Sequence, residues 1–229
     1  MNRQMLAVAA TMALTVLACS LPFAPTVEDR TEPIGVDSSG SSGGGSAEVL
    51  LEDNFSDTSS GWEVGDYEGG RVGYDGGGYQ VESIGDGNVM WGTAGQSFDD
   101  VVIEVSATQL SAPTNDNNGY GVACRLQQES DGYYLLVSGD GFYSIFKSVS
   151  DEWTNLVDWT ESDAINQGNA SNSIRATCDG VTLTLEVNGE LVATATDTQF
   201  TSGDIGMAAV SYEAESTLVQ FDDIRVTRP

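Results

Sequence analysis

No histidine occurs anywhere in the 229 residues, and lysine occurs once, at Lys147. The first absence removes the usual general base, the Ser-His-Asp and Cys-His arrangements and every histidine-ligated zinc site. Positive charge is scarce as a whole: 8 Lys and Arg stand against 35 Asp and Glu, for a formal net charge of −27. A surface of that sign repels phosphate backbones, which excludes nucleic acid as a partner, and it disfavours direct adhesion to anionic lipid. Most of the acids read as a solubilising surface, with calcium coordination by a few of them as the sharper alternative. Proline is also rare, at 5 residues against 27 glycines. That balance suits many turns between strands better than a disordered chain. Finally, no apolar run reaches the roughly 20 residues that a spanning helix needs.

The apolar run that does exist lies at the N-terminus. Arg3 supplies a basic start, and Met5 to Ala18 follow as 14 uncharged, mostly apolar residues. This is the pattern of a secretory h-region and is too short for a membrane span. Val16-Leu17-Ala18-Cys19 resembles a bacterial lipobox, with Leu17 bulkier than the preferred occupant of its position. The resemblance implies cleavage before Cys19, acylation of its thiol and amine, and anchoring in a lipid bilayer. Ser20 stands where an aspartate would signal retention at the inner membrane. Residues 1–18 are therefore expected to be a lipoprotein signal and 19–47 a tether. Its "DSSGSSGGGS" stretch has flexible-linker composition, and about 30 such residues typically span about 30 Å. The expected location is the cell surface or outer membrane, exported from the cytoplasm. Cys124 and Cys178 remain, each at core parity in an alternating run. They form either a disulfide or two buried thiols, and an oxidising compartment favours the disulfide.

From residue 48 to 229 the chain shows short alternating runs punctuated by Gly, Asn and Asp, and no amphipathic helix. "VVIEVSATQL", "GYGVACRLQ", "YYLLVSG", "FYSIFKSV", "SIRATC", "VTLTLEV" and "DIGMAAVSY" each suit a strand. In "VTLTLEV", Val181, Leu183, Leu185 and Val187 share one face, and Asn188-Gly189 is a favoured type I′ hairpin turn. In "VQFDDIRV" the apolar parity switches between Phe221 and Ile224, which predicts a bulge at Asp222-Asp223. About a dozen strands predict an all-β, two-sheet antiparallel β-sandwich.

The order of these segments, with the "VNGELV" hairpin and the closing "GDIGM…FDDIRV" pair, resembles the concanavalin A-like lectin/glucanase superfamily. Laminin-G-like and 3-keto-glycoside hydrolase-like domains of bacterial surface proteins are the nearest kin by this pattern. The resemblance covers about residues 49–229 and implies a jelly roll with one concave sheet, on which such proteins often bind glycans. Laminarinase-like members carry a Glu-x-Asp-x-x-Glu strand. Here Glu129-x-Asp131 and Glu161-x-Asp163 are the Glu-x-Asp pairs, and neither continues to the second Glu.

Sugar sites combine an aromatic platform with planar hydrogen-bonding groups. The candidates are Arg125 and Gln127, expected opposite Cys124 and facing solvent or a cleft, with Tyr134, Tyr143, Lys147 and Trp153. Trp91 and Trp159 are further aromatics near strand ends. For calcium, Glu52, Asp53 and Asp222 flank the terminal strands, where this superfamily often places a structural ion. A loop ion around "NDNNG" would not follow EF-hand spacing. The expected function is non-catalytic glycan binding, with an envelope polysaccharide as partner. A protein-interaction or spacer module is the alternative, and a glycoside-processing enzyme a third reading. Substituting Cys19→Ala is expected to abolish incorporation of labelled palmitate and to release the protein from the membrane fraction of expressing cells.

Overall fold

The computed structural model describes residues 47–85 and 87–229. The signal region, Cys19 and nearly all of the tether lie outside the described residues. Fifteen strands are formed: β1 (Val49–Asp53), β2 (Gly65–Tyr67), β3 (Gly70–Asp75), β4 (Gly78–Ile84), β5 (Val89–Phe98), β6 (Val101–Ser111), β7 (Asn118–Leu126) and β8 (Gly132–Val137). They continue with β9 (Phe142–Val149), β10 (Glu152–Glu161), β11 (Ser171–Asp179), β12 (Thr182–Val187), β13 (Glu190–Thr196), β14 (Gly203–Ser211) and β15 (Ser216–Thr227). One sheet has the order β13-β12-β11-β6-β15-β4-β3-β2, with β1 also paired to β15; the other has β10-β9-β8-β7-β14-β5. Every pairing is antiparallel, so the all-β sandwich expected from the alternating runs is the observed architecture. Among the described residues no helix is long and apolar enough to cross a membrane.

Local chemistry explains these elements. Leu183, Leu185 and Val187 of β12 are fully buried, whereas Val181, expected to join them, precedes the strand and is half exposed. Asn188 and Gly189 both adopt positive φ, 52° and 85°, as a type I′ turn requires. In β15, Val219, Phe221, Ile224 and Val226 are all buried. The register against β6 shifts between Asp222 and Arg225, and Asp223 has φ 51°. The predicted bulge absorbs the parity switch. Strands β2 to β5 escape the sequence pattern because glycine interrupts their alternation. Gly76 and Gly77, at φ 62° and 87°, turn the β3–β4 hairpin.

The core fills the space between the sheets and includes Ile103, Tyr120, Val122, Leu135, Ile174, Met207 and Phe221. At one corner Phe55, Trp62, Tyr74 and Tyr79 form an aromatic knot, with ring centroids 5.5–6.3 Å apart. The Tyr79 hydroxyl donates to the Glu63 carbonyl at 2.6 Å, which holds the segment after β1 against the sandwich.

Two ties join β7 to β11 across that core. The Asn172 amide donates to the Tyr120 hydroxyl at 2.9 Å. Cys124 and Cys178 form a disulfide, with Cα atoms 6.8 Å apart, linking one sheet to the other. Beside it, Arg125 does not face solvent, its side chain being only 1% exposed; at one end of β7 it lines a depression of about 460 Å³ with Asp99, Asp100, Gly180, Val181, Thr198 and Thr201. β7 carries one extra residue relative to β14 between Ala123 and Leu126, and Arg125 sits in that bulge with φ 54°. A bulge re-aims a side chain that strict alternation would point outward. The guanidinium donates to the carbonyls of Asp99 (3.3 Å), Gly180 (2.8 Å) and Phe200 (2.9 Å) and to the Asp100 carboxylate (2.9 Å). Three loops are thereby pinned to one end of β7. Replacing both cysteines by alanine is expected to lower the free energy of unfolding by about 4 kcal/mol, the chain-entropy value for a loop of this length. Urea denaturation of the double variant, or of the reduced protein, measures it.

Candidate functional site

The outer face of the six-stranded sheet, remote from the core, is not the polar surface that antiparallel alternation normally leaves. Ala123, Leu126, Tyr134, Leu136, Phe146, Ala208 and Val210 form a second buried cluster there, with Val89, Trp91 and Trp159 packed against it. No other layer covers these residues in the described chain; aromatic rings from the flanking strands do. Trp91 on β5 and Trp153 on β10 lie on either side of Tyr134, with centroids 6.4 Å and 4.9 Å from it. Further along, Trp159 lies 5.5 Å from Phe146 and 6.2 Å from Tyr212. Small residues allow the rings down onto the sheet: a Cβ at Gly119 would meet Trp159 at 3.2 Å and Val210 at 2.9 Å.

Three adjoining depressions run across this face. The first, of about 260 Å³, is lined by Glu63, Tyr67, Val89, Met90 and Trp91. The second, of about 140 Å³, shares Val89 and adds Leu136, Phe146, Trp153 and Tyr212. A third, of about 380 Å³, shares Tyr212 and is the most polar in character, with Asn117, Asn118, Ser138, Asp140, Phe142 and Trp159. Tyr67, Trp153 and Tyr212 are 48%, 41% and 38% exposed, so their rings are open to a ligand. Asn118 is rigid: its side chain donates to Gln109 at 2.7 Å and accepts from the Gly139 amide at 2.8 Å. Half-exposed aromatic faces beside fixed amide and carboxylate groups suit the mixed apolar and hydroxyl surface of a sugar.

The candidate residues divide between the two faces. Tyr134 and Trp153 belong to the aromatic face, Tyr134 as its buried floor; burial raises its phenol pKa, and the hydroxyl donates to the Ser130 carbonyl at 2.9 Å. Tyr143 and Lys147, one register apart, point to the sandwich side instead. Tyr143 packs against the main core, and Lys147 Nζ lies 2.5 Å from Asp197. Gln127 lies beyond β7, where its amide donates to the carbonyls of Arg125 (3.0 Å) and Ser202 (2.6 Å). With Arg125 buried, these four residues do not converge with Tyr134 and Trp153. Val89 and Tyr212 were not singled out by the sequence. Tyr212 follows β14 in "AAVSYEAES", where nothing distinguishes it from a loop tyrosine.

Glu52, Asp53 and Asp222 are each engaged separately. Glu52 pairs with Arg225; Asp53 accepts from the Phe55 amide (2.7 Å) and the Ser60 hydroxyl (2.5 Å); Asp222 accepts from the Asp223 amide (2.9 Å). Among the described residues no group of three or more acidic or thiol side chains is placed to hold a metal. Glu52 and Asp53 line one depression of about 500 Å³ with Asn54, Asp223 and Arg225, and Asp222 is not among its lining residues.

Four carboxyls are electrostatically shifted: hydrogen bonds hold Asp57 and Glu213 low, while Asp204 and Asp197 combine burial with hydrogen bonding. Burial raises Asp204 above the usual carboxylate range, although the amides of Gly95, Gln96 and Ile205 donate to it. Its lone pairs serve the β5 bulge rather than a ligand. At Asp197 burial also raises the pKa, but hydrogen bonds from Lys147, Tyr133 and the Gln199 amide, with the Lys147 charge, outweigh it and hold the group low.

No family model matches the sequence, and no curated protein does. Solved structures do match the fold. The chain is similar to the carbohydrate binding module CBM66 from Bacillus subtilis, with TM-score 0.60 and 18% identity over 73% of this chain and 96% of that one. It is also similar to a Bacillus licheniformis β-glucanase, with TM-score 0.58 and 11% identity over 80% and 99% of the two chains. A protein with a galectin-like fold from Bacillus subtilis gives TM-score 0.58 and 12% identity over 79% and 96%. The fold is thus the concanavalin A-like jelly roll expected from the closing strand pair. A folded pKa held low at Asp197 contributes stability above the unfolded carboxylate value near pH 4, lost as pH falls through the folded one. Asp197→Asn is therefore expected to be less stable than the parent near neutrality and to lose less stability on acidification, as urea midpoints between pH 7 and pH 2 would show.

Proposed function

We propose that this chain is a non-catalytic glycan-binding protein that takes a polysaccharide along the outer face of its six-stranded sheet. One observation carries the reading: the exposed rings of Trp153 and Tyr212 and the partly buried rings of Trp91 and Trp159 line three contiguous depressions on a face that has no other covering among the described residues. Aromatic rings of this kind stack on the C–H faces of sugars, and the Asn118 and Asp140 region supplies partners for hydroxyls. The neighbouring folds support it, since one is a carbohydrate binding module and another a β-glucanase. Six strands about 4.8 Å apart make a face about 24 Å wide, long enough for several sugar units.

The absence of catalysis is supported by the placement of carboxylates. Glu63 and Asp140 line different depressions, and no pair of carboxylates lines any one of the three. A glycosidase pair stands roughly 5–9.5 Å apart. Anchoring through an acylated Cys19 would present this face beyond the membrane at the end of the tether.

Calorimetry of the protein against laminarin, mannan, xylan and peptidoglycan, with and without calcium, tests the reading alongside a reducing-sugar assay. Binding without sugar release is expected, and sugar release would overturn the non-catalytic part. Trp153→Ala and Trp159→Ala are each expected to weaken binding by about 1–2 kcal/mol, roughly five- to thirtyfold, the range for a lost aromatic contact. Neither ring belongs to the main core, so the far-UV circular dichroism should retain the folded signature.

A further inference from the structure

The six cationic side chains of the described residues are all committed. Arg71 pairs with Glu82 (2.9 Å), Arg125 with Asp100 (2.9 Å), Lys147 with Asp197 (2.5 Å) and Arg228 with Glu48 (2.7 Å). Arg175 bridges Glu186 (2.6 Å) and Glu104 (3.3 Å), and Arg225 pairs with Glu52. Their positions matter as much as their partners. Arg71, Arg175 and Arg225 lie on β3, β11 and β15 of the other sheet; Lys147 faces the sandwich side; Arg125 is the buried plug. None of the six lines any of the three depressions on the aromatic face, whereas the carboxylates Glu63 and Asp140 each line one. The whole chain carries a net charge of −27, so the long-range field over this face has the same sign as the local one.

Resting on the glycan reading, we infer that the aromatic face selects by charge: it takes an uncharged glycan and rejects polymers bearing carboxylate, sulfate or phosphate. Recognition of an anionic sugar needs a guanidinium or ammonium aimed at the acid group, in bidentate or point-charge form. Among the described residues no cation lines the face, and Glu63 and Asp140 would oppose an anionic unit in the end depressions. Desolvating a charged sugar against aromatic rings without a partner adds a further penalty. Uncharged pyranose rings meet neither obstacle, because stacking and hydroxyl hydrogen bonds suffice. Such discrimination by like charge is an exclusion device rather than a source of affinity.

The test pairs each neutral polymer with an acidic derivative on the same backbone: laminarin with carboxymethyl-laminarin, dextran with dextran sulfate, and mannan with phosphomannan. Affinities for the full-length protein are measured by calorimetry at low and high salt. The acidic member is expected to bind at least about tenfold more weakly at about 0.05 M salt. The gap should narrow at about 1 M, where the screening length falls to about 3 Å. Glu63→Gln with Asp140→Asn should narrow the ratio of neutral to acidic affinity at low salt, because it removes the two charges that oppose an anionic unit. Equal or tighter binding of the acidic member, with the neutral member bound, overturns the charge inference and leaves the glycan reading intact. Failure to bind any neutral polymer, with or without its acidic partner binding, overturns both.

Discussion

The Cys124–Cys178 disulfide fastens a central strand of one sheet to a central strand of the other, and the bulge beside it turns Arg125 into the interior. Together they fix one end of the sandwich. The guanidinium gathers the β5–β6 turn, the β11–β12 turn and the β13–β14 connection through three carbonyls and one carboxylate. A buried charge is tolerable only when every donor has a partner, and these loops supply the partners. The loops in turn are held by the charge. The same extra residue sends Leu126 to the outer face, where it joins the second cluster. Core, loops and outer face therefore share one local irregularity of β7.

That outer face gives the molecule its asymmetry. The nine-stranded sheet follows the usual rule, apolar inward and polar outward, and its outward side carries a lattice of ion pairs on Arg71, Arg175 and Arg225. The six-stranded sheet is apolar on both sides. β7 and β8 are buried along their whole length, a pattern expected of strands covered on two faces. With no second layer of backbone over them among the described residues, the rings of Trp91, Trp153, Trp159 and Tyr212 provide the cover.

Charge and shape then work together. Acids are spread over the molecule, but the few cations are placed where they hold the fold, at the plug, the sandwich interior and the outer ion-pair lattice. The aromatic face is left with hydrogen-bonding groups and negative charge alone. Ligand choice on such a face is governed by stacking and by what the carboxylates exclude.

Much of the architecture was legible in the residues themselves. Alternation in β12, the Asn188-Gly189 turn and the parity switch in β15 each determine a local conformation through side-chain period and allowed φ, and each is observed, Val181 before β12 excepted. Composition likewise excludes histidine chemistry, since the sequence holds no histidine. The glycine-rich strands β2 to β5 were not legible, since a residue without a side chain carries no period. The site was legible only in part. Tyr134 and Trp153 meet as hoped, but Tyr143 and Lys147 lie one register out of phase, and a single residue of shift moves a side chain to the other face of a sheet. A bulge, invisible in the alternation, turns Arg125 away from the outer face and into a depression at the end of the sandwich. Residue chemistry and spacing thus determined the strands and their turns. Only the tertiary structure decided which aromatics share a face, because that depends on register and bulges set by packing between strands far apart in the chain.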